Sequence, residues 1–127
     1  MRKIFFVAII LTALFAGQIA SEENLLSDRQ CFRGNASWYG PGFFHKETAS
    51  GKVYGVKDVF VAHRSYPFGT LLEIVNLRNG KRIVAPVEDR GPYVFPREID
   101  LSFAAAKALS AFEEGVIPVL FKPIIRQ

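Results

Sequence analysis

Leu71-Leu72-Glu73-Ile74-Val75-Asn76-Leu77-Arg78-Asn79-Gly80-Lys81-Arg82-Ile83-Val84-Ala85-Pro86-Val87 sets two apolar runs on either side of Asn79-Gly80. Asn-Gly between such runs is the strongest short-range hairpin signal, because a type I′ turn needs positive φ at both central positions. The stretch predicts two paired strands and points to a β fold. Its second run leads into Glu88-Asp89-Arg90-Gly91-Pro92-Tyr93, where two acids and a base precede a Gly-Pro turn. Loops held at the end of a rigid strand are where function concentrates, so a reactive carboxylate is one reading. A turn in which Asp89 bonds nearby amides is the other. Adjacent strand residues point to opposite faces, so Glu88 and Asp89 cannot both face one cleft, and one candidate acid remains.

Outward from the hairpin, Asp58-Val59-Phe60-Val61-Ala62-His63 reads as a short strand turned by Arg64-Ser65-Tyr66-Pro67-Phe68-Gly69. His63 falls at its end, where histidine is more often structural, although a pKa of about 6.5 suits the side chain to proton transfer. Upstream, Trp38 and Tyr39 precede a Gly40-Pro41-Gly42 turn. Such aromatics can stack on sugar rings while keeping a polar tip, or Trp38 can close the core. Thr48-Ala49-Ser50-Gly51 has the composition of a loop that bonds substrate hydroxyls. Downstream, Asp100 or Ser102 can cap a helix through Phe103-Ala104-Ala105-Ala106-Lys107-Ala108-Leu109, with Leu101, Ala104, Ala105 and Ala108 at helical spacing. Val116 to Phe121 makes a last strand that Pro118 should restrict to an edge or a bulge. Many short strands with one short helix predict a small β-barrel.

The chain has 127 residues. Arg2 and Lys3, the apolar segment Ile4 to Ala16, then Gly17 to Ser21 and an acidic pair have the layout of a secretory signal peptide. The apolar segment falls short of the roughly 20 residues a membrane span needs. Residues 1–21 are therefore expected to be a signal segment, 22–34 a flexible lead-in and 35–123 the barrel. The protein is expected to be exported to the cell envelope, periplasmic or secreted, meeting a membrane only if the segment stays uncleaved. Without Arg2 and Lys3 the 16 basic and 12 acidic residues become 14 and 12, a charge of +2 in place of +4. The bases are scattered, which argues against nucleic acid as a partner. Cys31 stands alone, so no intramolecular disulfide is available, and two histidines with one cysteine give no metal-site spacing. Ser27-Asp28-Arg29-Gln30 before Cys31 is the wrong chemistry for a lipid anchor. Neither metal nor cofactor is expected, and a monomer is.

Eight short stretches occur in order: Ala36-Ser37-Trp38-Tyr39-Gly40, Thr48-Ala49-Ser50-Gly51, Ala62-His63, Pro67-Phe68-Gly69-Thr70, Val75-Asn76-Leu77, Asn79-Gly80, Asp89-Arg90-Gly91-Pro92 and Ile99-Asp100-Leu101-Ser102. Together they resemble the RlpA (rare lipoprotein A) domain over residues 35–121. The resemblance implies a six-stranded double-psi β-barrel of the kind found in expansins and family-45 endoglucanases. It also implies an endolytic lytic transglycosylase that cuts the bond between N-acetylmuramic acid and N-acetylglucosamine in peptidoglycan, leaving a 1,6-anhydro end. One carboxyl can serve as acid and then base in that reaction. On the matching positions Asp89 would be that group and His63 its assistant, with Trp38, Tyr39, Thr48, Ser50 and Arg90 binding glycan. Where active members read Gly-Glu-x-x-Asp, this chain reads Gly51-Lys52-Val53-Tyr54-Gly55, and Asp58 is out of register. Pro86 and Glu88 also depart from the usual pattern. A second reading therefore stands beside the first: a catalytically lapsed, expansin-like barrel that binds glycan in the envelope.

Overall fold

The computed structural model describes residues 31–39 and 41–124. Among the described residues the strands are β1 (Phe32–Trp38), β2 (Val61–Ala62), β3 (Leu71–Asn76), β4 (Arg82–Asp89), β5 (Arg97–Leu101) and β6 (Ile117–Pro123), with one α-helix, α1 (Phe103–Ala108), and a 3-10 turn at Pro41–Phe43. The six strands close into a barrel in the order β1-β5-β2-β4-β3-β6, and β6 returns to β1. Two of the pairings, β1 with β5 and β2 with β4, are parallel, and the other four are antiparallel. Parallel partners cannot be joined by a tight turn, so the chain crosses over to make them. Those crossings bring the C-terminal ends of β4 and β5 beside β2, which positions the site described below.

Alternation builds the core. In β3, Leu72, Ile74 and Asn76 are buried while Leu71, Glu73 and Val75 are less so, and the inward residues meet Ala85, Val87, Ile99, Leu101, Ile117 and Val119. Burying a side chain of this kind is worth roughly 1.5–3 kcal/mol. Asn76 is the polar member of the series. Its Nδ2 donates to the Leu109 carbonyl at 2.9 Å and its Oδ1 accepts from the Arg78 amide at 2.9 Å, so neither end of the amide is left bare.

Four expectations are corrected. First, the barrel takes in residues before 35, because Phe32, Arg33 and Gly34 pair with Phe121, Leu120 and Val119 and help to close it. Residues 1–21, and most of the expected lead-in, lie outside the described residues. Second, the β3–β4 hairpin is joined by five residues rather than by a two-residue turn. The Gly80 amide reaches back to the Asn76 carbonyl at 2.8 Å, and only Gly80, at φ 75°, takes positive φ there. Third, the buried face of α1 is Ala105, Ala106 and Leu109, with Ala104 half-buried and Ala108 exposed, while Ser102, one of the two expected caps, does cap the helix, its Oγ accepting from the Ala105 amide. Fourth, a closed barrel has no edge for Pro118. The β3 ladder stops at Val119, so Pro118 has a strand on its β1 side alone, and its carbonyl takes the Leu77 amide at 3.0 Å.

Candidate active site

Register decides which acids meet. Ala62 pairs with Asp89 across the parallel β2–β4 ladder and with Asp100 across the antiparallel β2–β5 ladder, and Asp100 pairs with Ser37 of β1. Ser37, Asp100, Ala62 and Asp89 thus form one row over four adjacent strands. At about 4.8 Å per strand, the two aspartate backbones lie roughly 10 Å apart. Between Val61 and Ala62 the register shifts, from Val87 to Asp89 on β4, leaving Glu88 as the extra residue. Such a bulge re-aims a side chain. Without it Glu88 would stand in the row and Asp89 would point with Val87 into the core.

Asp89 and Asp100 line one open groove of about 380 Å³, together with Ser37, Tyr39, Phe43 and Tyr93. The Asp89 carboxylate accepts from Tyr39 Oη at 2.8 Å, from the Ala49 amide at 2.9 Å and from its neighbour's amide, Arg90 N, at 2.9 Å. Three donors around an acceptor-only group fix its orientation. Burial, then the hydrogen bond to Asp89, pushes the Tyr39 hydroxyl far above the usual phenol range, so it stays a donor. Asp100 is the carboxyl that sequence reading missed as a site residue. Burial raises its pKa above the ordinary carboxyl value and the Asp89 charge adds to the rise, against a Ser37 hydroxyl contact and Arg97, which lower it. A visible signal existed: Ile99 and Leu101 are apolar, so alternation turns Asp100 outward. Its nearness to a helix start gave it a capping role that Ser102 in fact fills.

The other predicted residues divide. Thr48 and Ser50 bond each other through their hydroxyls at 3.0 Å. Their turn is clamped to the end of β4 by the Ser50 amide on the Glu88 carbonyl and the Ala49 amide on Asp89, so it holds the acid in place. Trp38 borders the groove, but packs edge-on against Phe112 and Phe103 with ring centres at 5.0 and 6.0 Å. That contact commits it to the core side. Arg90 also borders the groove, yet its guanidinium donates to the Tyr66 and His63 carbonyls and lies 3.9 Å over the Phe68 ring. It ties β4 to the loop after β2.

His63 does not reach the groove. Its backbone amide meets the Asp89 carbonyl at 3.2 Å, while Nδ1 accepts from the Ser65 and Tyr66 amides, both at 3.1 Å. Burial first, then Arg64, lowers its pKa below the usual histidine value, which favours the neutral ring that can accept those bonds. Glu88 diverges into a neighbouring cavity of about 340 Å³ that Lys52 and Asp58 also line. There it is buried and pairs with Lys52 Nζ at 3.2 Å. Asp58 caps the Gly55 amide at 2.8 Å.

The family described as Lytic transglycolase matches residues 32–121. Among curated relatives, the probable endolytic peptidoglycan transglycosylase RlpA of Aquifex aeolicus is 54% identical over 86 residues, covering 68% of this chain and 38% of that protein. The endolytic peptidoglycan transglycosylase RlpA of Campylobacter jejuni is 42% identical over 91 residues, 72% of this chain and 33% of that one. The chain thus spans less than two fifths of the length of these relatives. Among solved structures, a mutant expansin of Clavibacter michiganensis in complex with cellohexaose superposes with a TM-score of 0.61 at 21% identity, covering 76% of this chain and 52% of that one. A Streptomyces papain inhibitor gives 0.61 at 24% identity, over 76% and 96%. At such identities the likeness concerns the barrel alone.

Proposed function

The chain belongs to the lytic transglycolase family, and from that membership we propose that it is an endolytic lytic transglycosylase acting on the glycan strands of peptidoglycan in the cell envelope. The observation that carries the reading is the pair Asp89 and Asp100 facing one open groove. A raised pKa suits Asp100 to give a proton to the glycosidic oxygen as the bond to the anomeric carbon breaks. Asp89, held by its three donors, takes the proton from the muramyl 6-hydroxyl as that oxygen bonds to the anomeric carbon. One proton leaves Asp100 and one arrives at Asp89, so the charge balances and no water is consumed. Tyr39 and the 48–52 turn are positioning groups, and His63 supports the backbone under Asp89. The barrel follows the double-psi pattern in its two parallel crossings.

Incubation with peptide-free glycan strands, followed by weighing of the products, tests the reading. Anhydro-muramyl ends are expected, and Asp89→Asn or Asp100→Asn should lower the rate by two orders of magnitude or more, the usual scale of general acid–base catalysis being about 10²–10⁴-fold. Reducing ends would make the protein a hydrolase. Retained strands without products would favour the expansin-like binding barrel.

A further inference from the structure

Tyr93, Val94 and Phe95 follow one another with exposures of 78%, 56% and 88%. Single exposed apolar residues are ordinary on a soluble protein, but three large ones in succession form a patch of the kind that marks a binding surface. Their backbone is not loose. Arg64 Nη1 donates to the Pro92 carbonyl at 2.9 Å and to the Arg97 carbonyl at 2.8 Å, on either side of the patch, and Nη2 pairs with Glu98 at 2.6 Å. The Arg97 amide closes the turn on the Val94 carbonyl at 2.9 Å. One guanidinium thus pins both ends of the loop, and Pro92 beneath is buried. The apolar side chains are held out of the core by construction.

The patch is continuous with the carboxylate groove. Tyr93 and Val94 line it, as does Gly91, a buried residue at φ 122°. A Cβ on Gly91 would lie 3.8 Å from Tyr93 Cε2 and 3.9 Å from Asp100 Oδ2. A ring that flanks the proposed proton donor is placed to meet the sugar next to the reacting bond. Pyranose rings offer an apolar C–H face to an aromatic and hydroxyls at their edges, which suits an exposed tyrosine and phenylalanine better than a protein core would. Trp38 is packed on the core side and Tyr39 is bonded to Asp89, so the aromatics nearest the chain's turn are already engaged.

We propose that Tyr93 and Phe95, presented by the Arg64-clamped loop, are a stacking platform for saccharide rings of the bound strand on one side of the cleaved bond. The proposal rests on the glycan reading of the groove and goes further by assigning a subsite and a determinant of chain length. The test compares the parent with Tyr93→Ala/Phe95→Ala and with Tyr93→Phe/Phe95→Tyr. Peptide-free glycan strands are the probe, with retention in a gel that contains them and the KM and kcat of cleavage as readouts. The doubly truncated protein is expected to melt where the parent does, since both side chains stand in solvent. It should be retained at least tenfold more weakly, with the loss in KM rather than kcat, and the ring-for-ring variant should behave as the parent. Parent-like retention by the alanine pair overturns the platform while leaving the glycan reading intact. A parent that neither retains nor cleaves the strands overturns both.

Discussion

At Asp100, burial and the nearby Asp89 charge oppose ionisation, and only Ser37 and Arg97 favour it. A carboxyl whose folded pKa lies above its unfolded value of 3.8 adds stability that is complete below 3.8 and is lost as pH rises through the raised value. Asp100→Asn, which should lower the cleavage rate, should therefore raise the melting temperature at pH 7, with the difference disappearing near pH 3.5. Thermal melts at the two pH values check it, and a destabilised variant at pH 7 would show that the ionised carboxylate is well accommodated. His63 has the opposite sign. Its folded pKa is depressed below 6.5, so its contribution is complete above that pH and is lost as pH falls. Replacing it with alanine strips an acceptor from the Ser65 and Tyr66 amides. A loss of roughly 1 kcal/mol in denaturant melts is expected, with a smaller effect on rate than Asp89→Asn gives. Asp89 was legible because a strand, an acid and a Gly-Pro turn follow one another. The outward turn of Asp100 was written in its apolar neighbours Ile99 and Leu101, but its meeting with Asp89 across β2 was not, nor was the true place of Trp38, whose aromatic partners Phe103 and Phe112 lie over 60 residues away in sequence.

Between residues and barrel, the 48–52 turn and the β3–β4 hairpin show what local pattern does and does not specify. Lys52 holds Glu88 across the turn at 3.2 Å, with a side-chain exposure of 69% for the lysine against 9% for the glutamate. Lys52→Glu, which would restore the usual family residue, here sets a second carboxylate beside a buried one. The expected cost is on the order of 1–3 kcal/mol, less than for a fully buried pair because the lysine end is in water. Adding Gly55→Asp makes it worse, since a Cβ at 55 would sit 2.8 Å from Asp58 Oδ2. Chemical denaturation of the two variants checks this, and parent-like stability would mean that the turn can be rebuilt in the family pattern without help. The hairpin was read correctly as a hairpin and wrongly as a two-residue turn. Asn76 and Asn79 both donate through Nδ2 to the Leu109 carbonyl, at 2.9 and 3.0 Å, and so bind the loop to the end of α1. That tertiary bond favours a longer loop than Asn-Gly alone predicts. Gly80→Val should still cost roughly 1 kcal/mol or more from backbone strain, because nothing lies within 4 Å of its Cβ position and φ is 75°.

For the molecule as a whole, periodicity could give strands and a barrel class but not which strands neighbour each other. The parallel pairs β1–β5 and β2–β4 join residues far apart in sequence, and no local signal encodes such a pairing. It was the ordered set of motifs that implied the crossing topology. One consequence of closure concerns the residues read as a lead-in. Phe32, Arg33 and Gly34 supply three of the five register pairs between β1 and β6, and Phe32 adds a ring contact to Phe121 at 5.7 Å. A chain that begins at Asn35 leaves the outer side of Val119, Leu120 and Phe121 without a partner strand. Unpaired backbone groups at a sheet edge lose protection and invite pairing with other chains. The shortened protein should melt lower than one beginning at Cys31, exchange its Val119 to Phe121 amide hydrogens faster, and tend to associate. It should also lose activity in step, because β1 carries Ser37 against Asp100 in the row that holds both acids. Equal melting temperatures and equal amide protection would show that closure through residues 32–34 contributes nothing, and the barrel's working limit would then fall at Asn35.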